Sequence, residues 1–258
     1  MPTPDDRTTV VVAPRNRAPL LALTLSRLTA LPEQPRIIVV DNNSTDETSQ
    51  VARGAGVQVR VITLTENRAA AGRNVGVESA TSPYVAFCDD DSWFAPDSLA
   101  HAANLMDGHP RLALIAARIL VGAKGEIDPT CAQMAVSPLA ANGSLPGPAV
   151  LGFLACGAVV RRSAFLEVGG FLADFGIGGE EGLLAIDLAA AGWNLPYVEQ
   201  VTAYHHPPPR DDHCYCSRLQ VRNDLWLAWM RRRLPGAFRR SITLFRRHLA
   251  HPAGRRGF

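Results

Sequence analysis

From residue 8 to residue 88, short β-branched or apolar runs alternate with segments of helix length, and few folds accept that pattern. Thr8 to Ala13 (TTVVVA) reads as a first buried strand. A turn at Pro14-Arg15-Asn16-Arg17 follows, and then apolar residues at helical spacing from Leu20 to Leu31. Arg36 to Val40 is a second strand running into Asp41-Asn42-Asn43-Ser44-Thr45-Asp46. Such clusters make turns and helix caps, so a helix is expected from about Asp46 to Arg53. Val57 to Leu64 alternates as a third strand, Asn67 to Ala80 is an alanine-rich helix, and Ser82 to Cys88 is a fourth strand. Strands separated by helices at this spacing form βαβ units, which predicts an α/β fold with a mostly parallel central sheet.

The fourth strand, buried from Tyr84 to Cys88 by its composition, ends in Asp89-Asp90-Asp91. Three adjacent acids repel one another unless a cation or a bank of donors sits among them. In an open α/β sheet, the carboxyl end of a strand is where ligands bind, and Asp41 ends the second strand on the same rim. The motif by itself supports a divalent metal and a phosphate. The same acids could instead form a turn capping the next helix.

Beyond this point a helix from Pro96 to Met106 precedes a strand from Leu112 to Ile119. Gly122 to Gly152 is rich in Gly, Pro, Ala and Ser, with little periodicity, and reads as a long surface excursion. Structure resumes at Phe153 to Arg161, where Ala155, Cys156, Gly157 and Ala158 permit close backbone approach. Glu180 to Ala191 is a helix with acids in its first turn, where the helix dipole favours them. Leu195 to Tyr204 is a further strand, followed by His205-His206, and Arg218 to Arg233 and Ala237 to Ala250 are terminal helices.

With 258 residues the chain can bury a full core. No apolar run approaches the ~20 residues that span a bilayer, and the start does not resemble a signal peptide, so a cytoplasmic protein is expected. The five cysteines lack paired spacing and read as reduced thiols, not as a zinc site. Net charge is only +2, yet nine arginines and no acid follow from Arg231 to the end. Phe238, Ile242, Leu244, Phe245 and Leu249 mix there with arginines, a pattern suited to an anionic membrane face as well as to a solvated helix packed on the domain. No motif supports a nucleic-acid partner.

Carboxylate with imidazole suits Mn²⁺ or Mg²⁺, and Asp91 with His205 could supply such ligands. Arg73, near the start of its helix, could pair with a phosphate bidentately. Trp93 and Trp193 are candidates for stacking on a sugar face, with core packing the alternative for Trp193.

Taken in order, seven segments resemble family 2 glycosyltransferases of the GT-A (Rossmann-like) fold over roughly residues 8 to 230. They are VVVAPRNR (10–17), VVDNNSTD (39–46), NRAAAGRNVG (67–76), FCDDDSW (87–93), VGGF (168–171), GGEEGLLAIDLAAAGW (178–193) and the histidine after the last strand. The resemblance implies a single domain over 1–258. Within it, 1–111 would be a nucleotide-binding half, 112–210 an acceptor and catalytic half, and 211–258 an Arg-rich helical extension. It also implies a metal-dependent inverting transfer, by direct displacement, from a UDP- or dTDP-linked sugar to an acceptor hydroxyl.

By the same resemblance, Pro14, Arg15 and Asp41 would hold the pyrimidine base. Asp89 and Asp90 would face the nucleoside with Arg73 near them. Asp91 and His205 would hold Mn²⁺ or Mg²⁺, Glu181 would be the catalytic base, and Glu180 would orient hydroxyls. Apart from the resemblance, His213, Arg222 and Asn223 follow the histidine segment and are candidates to close over the donor. Three departures from the family pattern stand out: Pro14-Arg15 replaces a frequent Thr-Tyr, Glu180-Glu181 replaces Glu-Asp, and Leu183 stands where an acid is common. Expected partners are the nucleotide sugar and a glycan, glycolipid or small-molecule acceptor, with peripheral contact to the inner membrane face open to the C-terminus. The alternatives are a sugar-1-phosphate nucleotidyltransferase, or a non-catalytic relative that binds nucleotide sugar or glycan.

Overall fold

The computed structural model describes residues 6–140, 144–208 and 213–250, with side chains left out for 213–218 and 247–250. Its first half follows the alternation of the sequence. The strands are β1 (Thr8–Val12), β2 (Arg36–Asp41), β3 (Val59–Thr63) and β4 (Tyr84–Cys88), and α1 (Ala18–Thr29), α2 (Thr48–Gly54) and α3 (Gly72–Ser79) fall between them. β3, β2, β1 and β4 lie side by side in that order, all parallel. Every residue of β1 and β4 is buried, as expected for strands covered on both faces. α3 lies close on β1, because a Cβ at Gly76 would strike the side chain of Val11.

The second half extends the same sheet with a change of direction. β5 (Ser92–Phe94) and α4 (Ser98–Gly108) lead to β6 (Leu114–Val121), β7 (Glu126–Ile127), α5 (Pro129–Ala135), β8 (Ala158–Arg161) and α6 (Arg162–Glu167). α7 (Glu180–Ala190), β9 (Tyr197–His205), α8 (His213–Arg231) and α9 (Leu234–Ala250) complete the chain. The strand order is β3-β2-β1-β4-β8-β6-β9-β5, with β7 on β6. β8 runs antiparallel to both β4 and β6, and β9 is parallel to β6. The sheet is therefore mixed, parallel on one side and split by one reversed strand. Because β9 runs in the same direction as β4, their carboxyl ends share one rim. Phe87 of β4 meets Phe165 and Phe171 at ring-centre distances of 5.6 and 5.4 Å, which ties α6 and the loop after it to the sheet.

Three local differences from the sequence reading have physical causes. The helix expected from Asn67 begins at Gly72, because Ala69 sits at φ +48° and Asn67 Oδ1 accepts from its N–H at 2.9 Å. Within the Gly122 to Gly152 excursion, α5 forms on an Asp128 cap (Thr130 N–H to Oδ1, 2.7 Å) with proline at its first turn. Its buried face is Cys131 and Met134. β5 is only three residues long, too short for any periodicity to reveal.

Candidate active site

The site grows from the strand ends. Val12 pairs with both Val39 and Cys88, so the loops leaving β1, β2 and β4 emerge together. β5 then doubles back antiparallel to β9, with Ser92 opposite His205. That pairing, with the His206 N–H donating to the Asp91 carbonyl at 2.8 Å, carries the third acid of the triplet to the end of β9. His205 Nε2 lies 3.4 Å from Asp91 Oδ1, and both side chains are mostly covered.

A thiol joins this pair. One ligand atom each from Asp89, Cys156 and His205 lies within 4.8 Å of the others. Cys156 sits in a tight turn before β8, pressed down because a Cβ at Gly157 would meet Ile119 and Ala203. Cys88, Cys131 and Cys156 are free thiols and buried. The carboxylates and the imidazole fit a hard divalent cation, whereas burial and then the neighbouring acids hold the Cys156 thiol well above its ordinary range, which keeps it protonated and beside the cluster, not a ligand of it. The electrostatics agree. Burial, then Asp91 and Asp89, push the Asp90 carboxyl up to about 7. Burial works against charge on His205, but Asp91 outweighs it and raises the imidazole above its ordinary range.

α3 supplies the link to the other half of the site. Arg73 pairs with Asp89, its guanidinium lies over the Phe171 ring at 5.9 Å, and its buried Nε has no partner among the described residues. Next to it, Asn74 clasps the backbone of Phe171 in both directions (Nδ2 to O 2.8 Å, N–H to Oδ1 3.0 Å). Arg73 is thereby brought within electrostatic reach of Glu180 and Glu181, on the first turn of α7.

The turn before α7 needs left-handed backbone at Gly178 and Gly179, with φ +92° and +93°, which glycine adopts at little cost. α8 holds this turn in place. Asn223, with no exposed surface, donates from Nδ2 to the carbonyls of Phe175 (2.8 Å), Ile177 (3.3 Å) and Gly178 (2.5 Å). Arg222 adds bonds to Asp174 O and Phe175 O. Burial and then the charge of Glu180 push the Glu181 carboxyl up to about 7, and burial also raises Glu180. Glu180 Oε2 is buried with no partner among the described residues.

Other sequence candidates fall elsewhere. Asp41 is buried and has both oxygens engaged, accepting from Ser44 N–H of the loop after β2 (3.0 Å) and from Ser49 Oγ at the start of α2 (2.5 Å). Pro14 is buried with its carbonyl taken by Asn42 N–H, whereas Arg15 is exposed. Trp93 lies on β5 beside the acids, 4.8 Å from the His206 ring. Trp193 is at the far end of α7, bonded to Glu167 and under Arg111, so the fold does not bring it to the site. Arg222 and Asn223 bond to the backbone of the turn before α7. The side chain of His213 lies outside the described residues. Sequence reading missed Cys156 as a site residue, since a lone cysteine among small residues carries no spacing signal. It also missed Asn74, whose clasp on Phe171 spans 97 positions.

Comparison with known proteins bears on this geometry. The family model described as glycosyl transferase family 2 matches residues 9–169. The chain is 31% identical over 127 residues to the succinoglycan biosynthesis protein ExoU of Rhizobium meliloti, covering 46% of this chain and 37% of that one. It is 43% identical over 88 residues to the uncharacterized glycosyltransferase Rv0539 of Mycobacterium tuberculosis, covering 33% and 37%. The chain thus spans less than two fifths of the length of these curated relatives. Among solved structures, the mannosyltransferase PcManGT from Pyrobaculum calidifontis, in complex with GDP-Man and Mn²⁺, superposes with TM-score 0.70 at 23% identity, covering 98% of this chain and 73% of that one. S. aureus TarS 1–349 in complex with UDP-GlcNAc gives TM-score 0.65 at 16% identity, covering 95% and 73%. The mixed sheet flanked by helices is thus the GT-A architecture.

Proposed function

This chain belongs to glycosyl transferase family 2, and on that footing we propose a metal-dependent, inverting transfer of a sugar from a nucleoside diphosphate to an acceptor hydroxyl, with Glu181 as general base. The observation that carries the reading is the convergence of two groups on one rim. The cation-type donors Asp91 and His205, with Asp89 beside them, stand on one side, and Glu180-Glu181 on the other, with Arg73 between them. Residues 1–111 then supply the nucleotide side, 112–210 the acceptor and catalytic side, and 211–258 a helical extension. The donor is UDP- or dTDP-linked. Pro14, Arg15 and Asp41 lie on the loops beside the base, Asp41 by holding its loop. Asp89 and Asp90 face the nucleoside.

An acceptor hydroxyl is a poor nucleophile at neutral pH. Glu181 takes its proton as the bond to the anomeric carbon forms on the face opposite the leaving diphosphate. Such base assistance is worth ~10²–10⁴ in rate. Glu180 holds the hydroxyls in line, and Trp93 offers its ring to the sugar. Arg73 sets the field felt by both glutamates. Mn²⁺ or Mg²⁺, held by Asp91 and His205, would offset the charge that gathers on the leaving diphosphate.

The test is incubation with Mn²⁺ and a panel of UDP-, dTDP- and GDP-linked sugars, measuring nucleoside diphosphate release and donor binding. Metal-dependent release from at least one UDP or dTDP donor is expected. Neither release nor binding with any donor would overturn the proposal.

A further inference from the structure

α9 buries only a narrow face. Ala237 and Leu244, seven residues apart, are covered against α8, and Ser241 between them accepts a bond from Trp229 Nε1 at 3.1 Å. Leu234, Phe238, Ile242 and Phe245 follow at spacings of four, four and three, which places them on one helical face. They are 65%, 55%, 52% and 59% exposed. Trp229 of α8 continues this face, 48% exposed and edge-on to Phe238 at 5.0 Å. Beside it runs a groove of about 570 Å³ lined by Val221, Leu225, Ile242 and Phe245.

The unpaired charges on α9 and in the turn before it are all of one sign among the described residues. No acid occurs from Arg231 to the end of the chain. Arg231 and Arg240 are paired, with Asp187 and Asp224. Arg232, Arg233, Arg239 and Arg246 are exposed and make no ion pair among the described residues. Arg239 and Arg246 each follow a stripe phenylalanine and so line its edge.

We propose that this face of α8 and α9 docks in the plane of an anionic lipid bilayer. The four apolar side chains would enter the headgroup boundary, and the flanking arginines would extend to lipid phosphates. A second copy of the chain fits less well, since a two-fold contact would set these arginines against their own equivalents. No helix of the described residues is long and apolar enough to cross a membrane. α8 also carries Asn223, which holds the turn before Glu180, so the docked element and the glutamates share one support.

The full chain is sedimented with phosphatidylcholine vesicles, with and without phosphatidylglycerol. Four unpaired arginines at roughly fivefold each give ~10²–10³-fold tighter binding to the anionic vesicles, weakening with salt. Tryptophan emission shifts to the blue on binding. Arg239→Glu with Arg246→Glu removes the preference for anionic lipid. Phe238→Ser with Phe245→Ser removes the emission shift. Both pairs are at exposed positions, and their melting temperatures are checked against the parent. Equal binding to both vesicle types, no binding, or a dimer in ultracentrifugation that dissociates in the phenylalanine variant would each overturn the proposal. Donor turnover in solution is measured alongside, so failure here is distinguishable from failure of the transferase reading.

Discussion

Replacing Asn223 by leucine roughly keeps the size of the side chain and removes its donor without burying a charge among the carbonyls. The amide group serves three backbone carbonyls, but it has two protons, so two full hydrogen bonds are lost. A buried acceptor left without a donor costs ~1–3 kcal/mol, and partial entry of water moderates the sum, so a loss of about 2–4 kcal/mol is expected. That energy now holds the Phe175 to Gly179 turn, from which α7 starts with Glu180 and Glu181. Releasing it lets the base wander, and misplacement by about 1 Å can cost ~10²-fold in rate. The assay is a steady-state split of kcat and donor KM, with thermal unfolding in parallel. The expected result is a fall in kcat at nearly unchanged donor KM, because the cation and nucleoside residues stand on other elements. A lower melting temperature with kcat intact would show Asn223 to be purely structural and refute the positioning argument.

Burial and Glu180 hold the Glu181 carboxyl at about 7, so the ionised base is lost as pH falls below that value. kcat/KM should therefore rise about tenfold per pH unit up to near 7 and then level off. Glu180→Gln removes the neighbouring charge and should move that limb to lower pH; an unmoved limb would mean another group sets it. The sign for stability follows from proton counts. Between the ordinary carboxylate range and about 7 the folded state binds more protons than the unfolded state, so stability falls as pH rises through that window. Glu180→Gln should flatten the decline, read from melting temperature against pH. Asp91→Asn should weaken Mn²⁺ binding, measured calorimetrically with nucleoside diphosphate present. Unchanged affinity would leave the cation to Asp89 and His205 and overturn the assignment of Asp91.

The parts of the fold and site legible in sequence are those written locally. β1 through β4 show in β-branched runs, and the rim position of Asp41 and of the Asp89 to Asp91 triplet follows from βαβ logic alone. The two acids of α7 are visible as first-turn residues. What was hidden depends on contacts between distant elements. The reversal at β8 is a four-residue strand whose direction is set by its neighbours. Asp91 and His205 are expected together, but the element that joins them, β5, has no periodicity of its own. Cys156 looks like an ordinary buried residue until the fold sets it beside the acids, and Asn223, expected over the donor, bonds to the turn before α7, a role with no local signal. Trp193, aromatic and near the right motif, lies a helix length from the glutamates because α7 separates them.

Glu181→Gln tests the central claim most directly, since it keeps the size and hydrogen-bonding reach of the side chain while removing its basicity. Donor affinity by calorimetry and single-turnover transfer are measured on the same preparation. The expected result is unchanged donor binding with transfer reduced ~10²–10⁴-fold. Transfer at the parent rate in that variant would contradict the assignment and move the base to another residue.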